Sequence, residues 1–496
     1  MKRIISTSYY LSFVVYLLIL LSVSIYPQNT EKIQQLVSDK SNSKLLKHGI
    51  LSVYAEFSET GKQIVAINNE KGLAPASNLK VVTSGVAMCL LGENFRFETK
   101  IYLDGEIIRG DILKGNLYII GSGDPTLGSD RIKGVKSLDN LMTEIYKSIA
   151  DMGIKRINGK IIADDLLYER NPVPDYWHWI DIGNYYGAGT SALTINENSY
   201  ELHFKPGLNQ GDSTGIYGTT PSPVGLNFVN GVSTGKAGSG DNGYIYSAPY
   251  STIAYLRGTV PAGVDTFTIS GSIPNPPQFF ADYLKNYLIK NEIKVFGDAV
   301  TLTSLEKPDY STMKEIVRVI SPTLKEIVYI VNKRSNNLYT EQLLLALGNR
   351  TSGAKNTEES IKVMTDFLKN NGIDIAGVRL EDGCGLSRTN MITTGAISKF
   401  LSFMTKQNLF ESHYNSFPVA GDPQDLGGFK TFGTGTPIEK NARIKSGTIH
   451  GVRSFSGYIK NKAGKLISFS LIANNYTGSS KEIDELYKEI LLLLYN

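Results

Sequence analysis

The sequence predicts an α+β protein in which a strand-rich block interrupts a domain built of helices and strands. Helical periodicity appears around residues 77–88 and returns from about residue 276, whereas residues 100–272 form short strand-like runs separated by Gly- and Ser-rich loops. The chain has 496 residues, more than a single domain usually contains. We therefore predict one domain in two parts, 28–99 and 273–496, with a strand-rich insertion at 100–272.

The composition is that of an ordinary globular protein, with 41% hydrophobic and 20% charged residues. It excludes disorder, collagen and coiled coil as overall classes. The 51 Lys and Arg residues nearly balance 47 Asp and Glu residues, and a net charge of +4 argues against nucleic acid as a partner. Five His residues, none spaced i, i+4, argue against a metal site, and we expect no cofactor.

Residues 1–27 are predicted to be a signal peptide. Lys2 and Arg3 precede an uncharged apolar run over 11–25, which ends in a small-x-small pattern at 22–24. The competing interpretation is an uncleaved anchor, because the apolar stretch nearly reaches the ~18–20 residues that cross a bilayer. With either outcome, we expect the remaining chain to be exported to the periplasm or cell envelope.

The first elements of the predicted domain are a hairpin and a helix. Apolar and polar residues alternate over 50–57 and 62–70 around a turn at Glu59-Thr60-Gly61. Pro75 then precedes a run from Ser77 to Met88 with the apolar spacing of a buried helix.

The second part of the domain is predicted to contain helices followed by strands and a final helix. Helical patterns cover 279–292, 324–333, 340–348 and 359–372. Strand patterns cover 443–451, 453–461 and 466–475, and a last helical pattern covers 481–494.

Ser77 and Lys80 form a candidate nucleophile and base. Residues at i and i+3 share one face of a helix, and the helix N-terminus favours a developing anion. A lysine acts as a base when desolvation or a second cation destabilises its ammonium group. The spacing alone is weak, because Ser-x-x-Lys also occurs at residues 41–44, 304–307 and 311–314.

Two further polar groups follow in the chain. Ser335-Asn336-Asn337 lies between two predicted helices, and Lys445-Ser446-Gly447-Thr448 lies in a predicted strand, where a Gly permits the close approach of a substrate backbone. Each group alone has an ordinary structural interpretation. The order Ser-x-x-Lys, Ser-x-Asn, Lys-Ser-Gly resembles the signature of penicillin-binding proteins and serine β-lactamases.

Longer segments narrow the resemblance to class C low-molecular-mass penicillin-binding proteins, the D-alanyl-D-alanine carboxypeptidase and endopeptidase family. These segments are PASNLK at 75–80, GNLYIIGSGDPTL at 115–127, YYGAGTSALTINEN at 185–198, SNNLYTEQLLLALG at 335–348, DGCGLSRTN at 382–390, PVAG at 418–421 and IKSGTIHGVRSFSGYI at 444–459. The resemblance covers nearly the whole mature chain. It implies a serine β-lactamase/DD-peptidase-like domain, with an antiparallel sheet flanked by helices and a separate helical cluster.

The resemblance also implies roles for individual residues. Ser77 would attack the carbonyl of the penultimate D-alanine, and Lys80 would accept its proton. Ser335 would relay a proton to the leaving amine, Asn337 would hold the substrate amide, and Lys445 would help to keep Lys80 neutral and attract the terminal carboxylate.

The strand group would complete this site. The hydroxyls of Ser446 and Thr448 would bind the terminal carboxylate beside Gly447. The backbone N–H groups of Ser77 and Thr448 would form the oxyanion hole.

A second substrate contact is expected in the segment DIGNYYGAG. By the same resemblance, Asp181 would bind the ammonium group of the peptide's diamino acid and Tyr186 would pack beside it. Trp177, Trp179 and Tyr185 would form an aromatic rim. The alternative is a surface loop anchored by its aromatic residues.

Two residues raise alternative chemistries. Cys384 replaces the usual Ser of the family's DGSGLSR-like turn, and we expect it to be structural, since no His is near it in sequence. We expect neither Cys384 nor Cys89 to form a disulfide. His450, two residues past Thr448, is an alternative base for Ser77, although the sequence identifies no carboxylate partner for it.

On these grounds we predict a serine-type D-Ala-D-Ala carboxypeptidase. Two versions stay open: an enzyme that only trims stem peptides, and one that also cleaves cross-links as a DD-endopeptidase. Peptidoglycan stem peptides would be the substrate, and β-lactam antibiotics would acylate the enzyme. The alternatives are a β-lactamase of the same fold and a non-catalytic wall-binding or penicillin-sensing protein. Oligomeric state and peripheral membrane association are left open.

Overall fold

The computed structural model describes residues 29–303 and 308–496. The predicted signal peptide or anchor at 1–27 lies outside these residues. Among the helices that are described, none combines the length and the apolar character needed to span a membrane.

The helices, in chain order, are α1 (29–41), α2 (Leu79–Leu91), α3 (Leu138–Ala150), α4 (Trp179–Ile182), α5 (Pro276–Lys290), α6 (Leu324–Arg334), α7 (Asn337–Ser352), α8 (Thr357–Asn370), α9 (Thr394–Met404), α10 (Phe410–Ser416) and α11 (Ser480–Tyr495). The strands are β1 (Ile50–Phe57), β2 (Gln63–Ile67), β3 (Glu98–Leu103), β4 (Glu106–Ile108), β5 (Ile112–Lys114), β6 (Leu117–Ile120), β7 (Arg156–Ile157), β8 (Ile161–Asp164), β9 (Ser199–Lys205), β10 (Gly215–Thr220), β11 (Asn227–Asn230), β12 (Ser233–Gly235), β13 (Asn242–Tyr246), β14 (Ile253–Pro261), β15 (Phe267–Ser272), β16 (Lys294–Val295), β17 (Ala299–Thr301), β18 (Lys314–Ile320), β19 (Arg443–Ile449), β20 (Val452–Lys460) and β21 (Leu466–Asn474).

By packing, the chain divides into two compact units. Unit 1 consists of 29–82, 368–380 and 390–496, and unit 2 consists of 83–367 and 381–389. This division differs from the predicted boundaries, because it groups 83–99 and 273–367 with the strand-rich block. A division by packing is independent of which segment interrupts the other, so the insertion at 100–272 stays a prediction.

Unit 1 is built on one antiparallel sheet with strand order β19-β20-β21-β1-β2. The strands β1 and β2 come from the start of the described chain and β19–β21 from its end, and β1 pairs with β21 over its whole length. β19 lies at an edge of the sheet, and the outer side of its first residues bonds to the preceding segment, where the N–H of Ile444 donates to the carbonyl of Pro418 at 2.9 Å.

The two faces of this sheet carry different side chains. On β21, Phe469 and Leu471 join the core formed with α1 and α11, whereas Ser468 and Ser470 point to the face covered by α9. Ser468 bonds with Ser402 of α9 at 2.6 Å between hydroxyl oxygens. Alternating large apolar and small polar residues therefore let helices pack on both faces.

The described residues of unit 2 form four sheets. Their strand orders are β17-β8-β6-β3-β18, β16-β7-β5-β4, β10-β9-β15 and β11-β14-β12, with β13 paired to the other edge of β14. The helices α3 and α5 supply buried apolar residues to a core shared with these sheets. The helices α6 and α7 follow β18 and pack against each other.

The elements predicted from periodicity are confirmed: the β1–β2 hairpin, α2, α5 to α8, β19 to β21 and α11. The strand-rich block contains one long helix that was not predicted, α3. Its buried residues Leu138, Leu141, Met142, Ile145 and Ile149 do follow helical spacing, but the surrounding strand-like runs masked the pattern. The helices α1, α9 and α10 were also not predicted.

Candidate active site

Ser77 lies in a single 3-10 turn, Ala76–Asn78, that leads directly into α2. Ala76, just before it, has a φ of 47°, in the left-handed region that costs an L-residue on the order of 1–2 kcal/mol. Ala76 is completely buried, so packing holds this strained conformation in place. The segment thus presents Ser77 on a tight turn at the start of a helix, as the Pro75 signal predicted.

The predicted pairing of Ser77 with Lys80 is present. Lys80 Nζ donates to Ser77 Oγ across 2.9 Å, and the Lys80 side chain is 0% exposed. The spacing i, i+3 on the turn of the helix produces this contact. A neutral amine at this position would accept the proton of Ser77 directly.

A second buried cation, Lys445, lies in the same unit. Its side chain is 1% exposed, and Nζ donates to the backbone carbonyl of Ser446 at 2.7 Å. Burial, and then the charges of Lys80 and Arg453, hold the pKa of Lys445 well below its ordinary value. Repulsion between the two buried ammonium groups therefore favours a state in which one of them is neutral.

Gly447 allows β19 to pass very close to the Ser77 turn. A Cβ atom at position 447 would lie 2.6 Å from the carbonyl oxygen of Pro75 and 2.8 Å from the backbone nitrogen of Ser77. The Ser454 hydroxyl, donating to the same Pro75 carbonyl at 2.5 Å, adds a second tie. The backbone of β19 thus lies beside the N–H group of Ser77.

Two residues of this region escaped the sequence analysis. With its amide oriented to suit its neighbours, buried Asn78 donates to the carbonyl of Lys445 and accepts from the N–H of Phe455, joining the Ser77 turn to β19 and β20. Arg453 pairs with Asp484 at 2.6 Å and also donates to the hydroxyl of Thr448, directly opposite it on β20. The register of β19 against β20 brings Arg453 next to Thr448, and this register could not be read from the sequence.

In unit 2, Ser335 lies in the predicted turn between α6 and α7, and Asn337 is the first residue of α7. Ser335 ends α6 in the left-handed conformation with a φ of 56°, and Asn336 caps α7 by accepting from the N–H of Tyr339 at 2.9 Å. Asn337 Nδ2 donates to the carbonyl oxygen of Tyr186 at 2.7 Å. This hydrogen bond connects the start of α7 to the segment that contains Asp181.

Asp181 and Tyr186 are brought together in unit 2. The Tyr186 hydroxyl donates to Asp181 Oδ1 at 3.3 Å, and Asp181 is only 8% exposed. Burial raises the pKa of Asp181. The charge of Arg388, the hydrogen bond from Tyr186 and the charge of His178 lower it, but by less. Because a buried carboxylate is costly, a cationic ligand would be favoured beside it.

A cavity of about 240 Å³ in unit 2 is lined by Ser335, Asn337 and Tyr186. Glu197 and Arg131, which also line it, form an ion pair that the sequence analysis missed. Tyr339 donates to Glu197 at 3.0 Å and fixes the carboxylate. These residues are distant in sequence, so no local pattern marked them.

The aromatic rim is only partly as predicted. Trp179 and Tyr185 are exposed, but Trp177 is buried, and its indole N–H donates to Asp382 Oδ2 at 2.9 Å. Trp177 was therefore wrongly assigned to the rim. Cys384 is buried beside it, and its N–H donates to Glu341 Oε1 at 2.6 Å, consistent with a structural turn.

The alternative chemistries find no support in the geometry. Cys384 and Cys89 form no disulfide in the part of the chain that the structure describes. Burial raises the pKa of the Cys89 thiol to about 11, so this thiol is a poor nucleophile. His450 is exposed in the turn after β19, and the hydrogen bond received by Ser77 Oγ comes from Lys80.

Comparison with known proteins decides the family. The sequence model of the D-Ala-D-Ala carboxypeptidase 3 (S13) family matches residues 31–491. The chain belongs to this family. The family match confirms three predictions: the fold, the membership of the low-molecular-mass penicillin-binding proteins, and the activity of a serine-type D-alanyl-D-alanine carboxypeptidase.

Individual family members agree with this assignment. The chain is 29% identical over 445 residues to the D-alanyl-D-alanine carboxypeptidase of an Actinomadura species, covering 87% of this chain and 79% of the relative. It is 24% identical to D-alanyl-D-alanine carboxypeptidase DacB of Haemophilus influenzae, covering 85% and 84%. The crystal structure of penicillin binding protein 4 (dacB) from H. influenzae has a TM-score of 0.78 at 22% identity, covering 93% of this chain and 99% of that one. A β-lactam complex of the latter protein has a TM-score of 0.74 at 23% identity, covering 93% and 99%.

Proposed function

We propose that this carboxypeptidase cleaves D-Ala-D-Ala stem peptides of peptidoglycan through an acyl-enzyme on Ser77. The observation that carries the proposal is the 2.9 Å contact between Ser77 Oγ and Lys80 Nζ in a completely buried position. Lys80 would take the Ser77 proton while Oγ bonds to the carbonyl carbon of the penultimate D-alanine. The peptide bond would then break, and water would later hydrolyse the ester.

Ser335 and Asn337 would serve the leaving group and the substrate amide, respectively. A proton passing through the Ser335 hydroxyl would convert the departing nitrogen into the free amine of D-alanine. Asn337 would hold the substrate amide while Tyr186, whose carbonyl it contacts, packs near the diamino acid held by Asp181. These roles follow from the motif positions, and the geometry within unit 2 is compatible with them.

Lys445 and β19 would bind the substrate's carboxylate and stabilise the tetrahedral intermediate. The Lys445 charge attracts the carboxylate, and the hydroxyls of Ser446 and Thr448 donate to it. The N–H groups of Ser77 and Thr448 would donate to the oxyanion, an arrangement favoured by the close approach of Gly447 to the Ser77 turn. Mutagenesis of single oxyanion donors in other enzymes costs on the order of 10²–10³ in rate.

The same acyl-enzyme serves two reactions. When the leaving amine is free D-alanine, the enzyme trims a stem peptide. When it belongs to a neighbouring stem, the enzyme cleaves a cross-link, and we propose both activities. A β-lactam presents a strained amide in place of the substrate bond, so penicillin would acylate Ser77 and stay attached.

Intact mass spectrometry after incubation with benzylpenicillin tests the assignment of Ser77. We expect one persistent adduct on the wild type, none on Ser77→Ala, and D-alanine release from a D-Ala-D-Ala pentapeptide by the wild type only. Ser311→Ala is the matched control, because Ser311 and Lys314 have the same spacing at another site, and it should keep both properties.

The same measurements discriminate the alternatives. Rapid loss of the adduct with many turnovers of penicillin would favour a β-lactamase. A wild-type protein with neither adduct nor D-alanine release would favour a non-catalytic wall-binding or sensing protein. An adduct that persists in Ser77→Ala would place the nucleophile elsewhere.

We also propose that the chain works outside the cytoplasmic membrane, in the periplasm or cell envelope. Support comes from the signal-peptide pattern at 1–27 and from a substrate found in the cell wall.

A further inference from the structure

One face of the sheet around β14 is exposed and rich in tyrosine. Tyr246 lies opposite Tyr255 in the β13–β14 pair, Tyr244 lies opposite Arg257, and Val229 of β11 lies opposite Tyr255 on the other side. Since alternate residues of a strand share a face, these side chains point the same way. We call Val229, Tyr244, Tyr246, Tyr255, Arg257 and the neighbouring Trp179 the tyrosine face.

The two faces of this sheet differ sharply in burial. Tyr255 is 45% exposed and Val229 is 50% exposed, whereas Ile245 and Leu256, which point the opposite way, are 0% and 1% exposed in the core of unit 2. The outward tyrosines thus contribute little to the core. Exposed aromatic surface of this kind marks interaction sites more often than chance.

Two members of the tyrosine face contact the ring of Tyr246. The Arg257 guanidinium lies 5.0 Å from the centroid of the Tyr246 ring, and the Trp179 ring lies 6.5 Å from it with an interplanar angle of 35°. Rings that are already ordered lose little conformational entropy when a ligand binds. Their π-faces attract polarised C–H bonds, while phenol and guanidinium groups offer hydrogen bonds.

This face is fastened to the segment that contains Asp181. Buried Asn184 accepts from the N–H of Ile245 at 3.1 Å and donates to the carbonyl of Ile180 at 2.6 Å. At Gly183, a Cβ atom would lie 2.0 Å from the carbonyl oxygen of Ile245, so the two backbones are in close contact. Trp179 and Asp181 belong to the same short helix, α4.

We propose that the tyrosine face binds the glycan strand of peptidoglycan while Asp181 holds a stem peptide. The inference rests on the proposed function, because it takes Asp181 as the contact for the diamino acid. Stem peptides are attached covalently to the glycan, so the polymer must continue within a few residues of that contact. Amino sugars present apolar C–H faces that stack on aromatic rings and hydroxyl and acetamido groups that bond to phenols and guanidinium.

The experiment compares the full-length wild type with the double variant Tyr246→Ser/Tyr255→Ser. Tyr217→Ser is the control, because Tyr217 is 57% exposed on β10, in a different sheet, and stacks on His203. D-alanine release is measured from intact peptidoglycan sacculi and from a soluble pentapeptide. Co-sedimentation with glycan strands stripped of stem peptides is measured separately, and thermal unfolding verifies folding.

We expect the double variant to lose at least tenfold in the ratio of sacculus to pentapeptide turnover, and to lose co-sedimentation with the stripped glycan. Tyr217→Ser should match the wild type in both. Unchanged sacculus turnover and glycan binding in a folded double variant would overturn the proposal. So would a double variant that loses instead a wild-type dimer, seen by sedimentation, or binding to anionic phospholipid vesicles.

Failure of the proposed function gives a different pattern. In that case the wild type would release no D-alanine from the soluble pentapeptide. Co-sedimentation with stripped glycan requires no catalysis and no stem peptide, so it judges the tyrosine face independently of the chemistry at Ser77.

Discussion

At the scale of single residues, unit 1 concentrates positive charge where ordinary proteins avoid it. Lys80 and Lys445 are both almost completely buried, and the charge of Lys80 contributes to the low pKa of Lys445. Burying two lysine side chains in one region carries a desolvation cost, and perturbed groups of this kind cluster at functional sites. The 2.9 Å contact of Lys80 with Ser77 places an amine where it can take the hydroxyl proton, and repulsion from Lys445 favours the neutral form of one of the two lysines.

Gly447→Ala tests the close approach of β19 to the nucleophile. The added Cβ would collide with the backbone at Pro75 and Ser77, so one of the two segments must shift. Because a misplacement of about 1 Å can cost about 10² in rate, we expect the acylation rate with a fluorescent penicillin to fall by about that factor. Gly428→Ala is the matched control, since a Cβ there meets nothing within 4 Å. Equal rates for the two variants would contradict the role assigned to β19.

Asp181→Asn tests the second substrate contact. The variant should raise KM about tenfold for stem peptides with a cationic side chain and leave peptides with an uncharged norleucine in that position unaffected, because only the charge is removed. Asp175→Asn, at an exposed aspartate nearby in sequence, should change neither KM. An equal effect of Asp181→Asn on both peptides would refute the pocket.

At the scale of elements, the turn after β6 contains a buried charge with an unusual environment. Asp124 is 2% exposed; its Oδ1 accepts from the N–H and hydroxyl of Thr126, whereas its Oδ2 has no hydrogen-bond partner among the residues that the structure describes. Burial raises its pKa to about 6, against the effect of those two hydrogen bonds. Between about pH 4 and pH 6, the Asp124 carboxyl group is therefore protonated in the folded state but has lost its proton in the unfolded state.

This raised pKa has a definite sign for stability. The stabilising contribution of protonated Asp124 to the free energy of unfolding is fully present below its pKa in the unfolded chain, near 4. It is lost as the pH rises through its pKa in the folded state, about 6. We expect Asp124→Asn to match the wild type in unfolding free energy at pH 4 and to exceed it at pH 8 by about 3 kcal/mol. Chemical denaturation at both pH values measures this, with the exposed Asp130→Asn as the control. A gain that is equal at pH 4 and pH 8 would show that Asp124 is not protonated in the folded state near pH 4.

At the scale of the whole molecule, unit 1 is assembled from distant parts of the chain. β1 pairs with β21, more than 400 residues away, and the Asn474 side chain bonds both to the N–H and to the carbonyl of Ala74, at 2.9 and 3.1 Å. The turn that carries Ser77 therefore depends on residues synthesised last. Such non-local pairing is slow to form, because loop closure must precede the contacts that reward it.

At the scale of the whole chain, the signal-peptide pattern also predicts processing of the N-terminus. We expect cleavage near residue 27, so N-terminal sequencing of the protein from the exported fraction should begin within a few residues of Gln28. The cytoplasmic precursor is the control and should retain the residues before Gln28. An intact N-terminus that resists extraction from membranes at alkaline pH would instead establish the anchor.

The sequence by itself determined the elements with strong periodicity, the order of the three motifs and the family, because these depend on neighbours along the chain. Together with the order of the motifs, it also predicted the contact of Lys80 with Ser77, because a spacing of three residues places two side chains on one face of a helical turn. It did not reveal Asn78 or Arg453, the ion pair of Arg131 with Glu197, or the burial of Trp177. Only the tertiary structure decided these, together with the pKa of Lys445 and the tyrosine face, because strand register and burial arise from residues that are far apart in sequence.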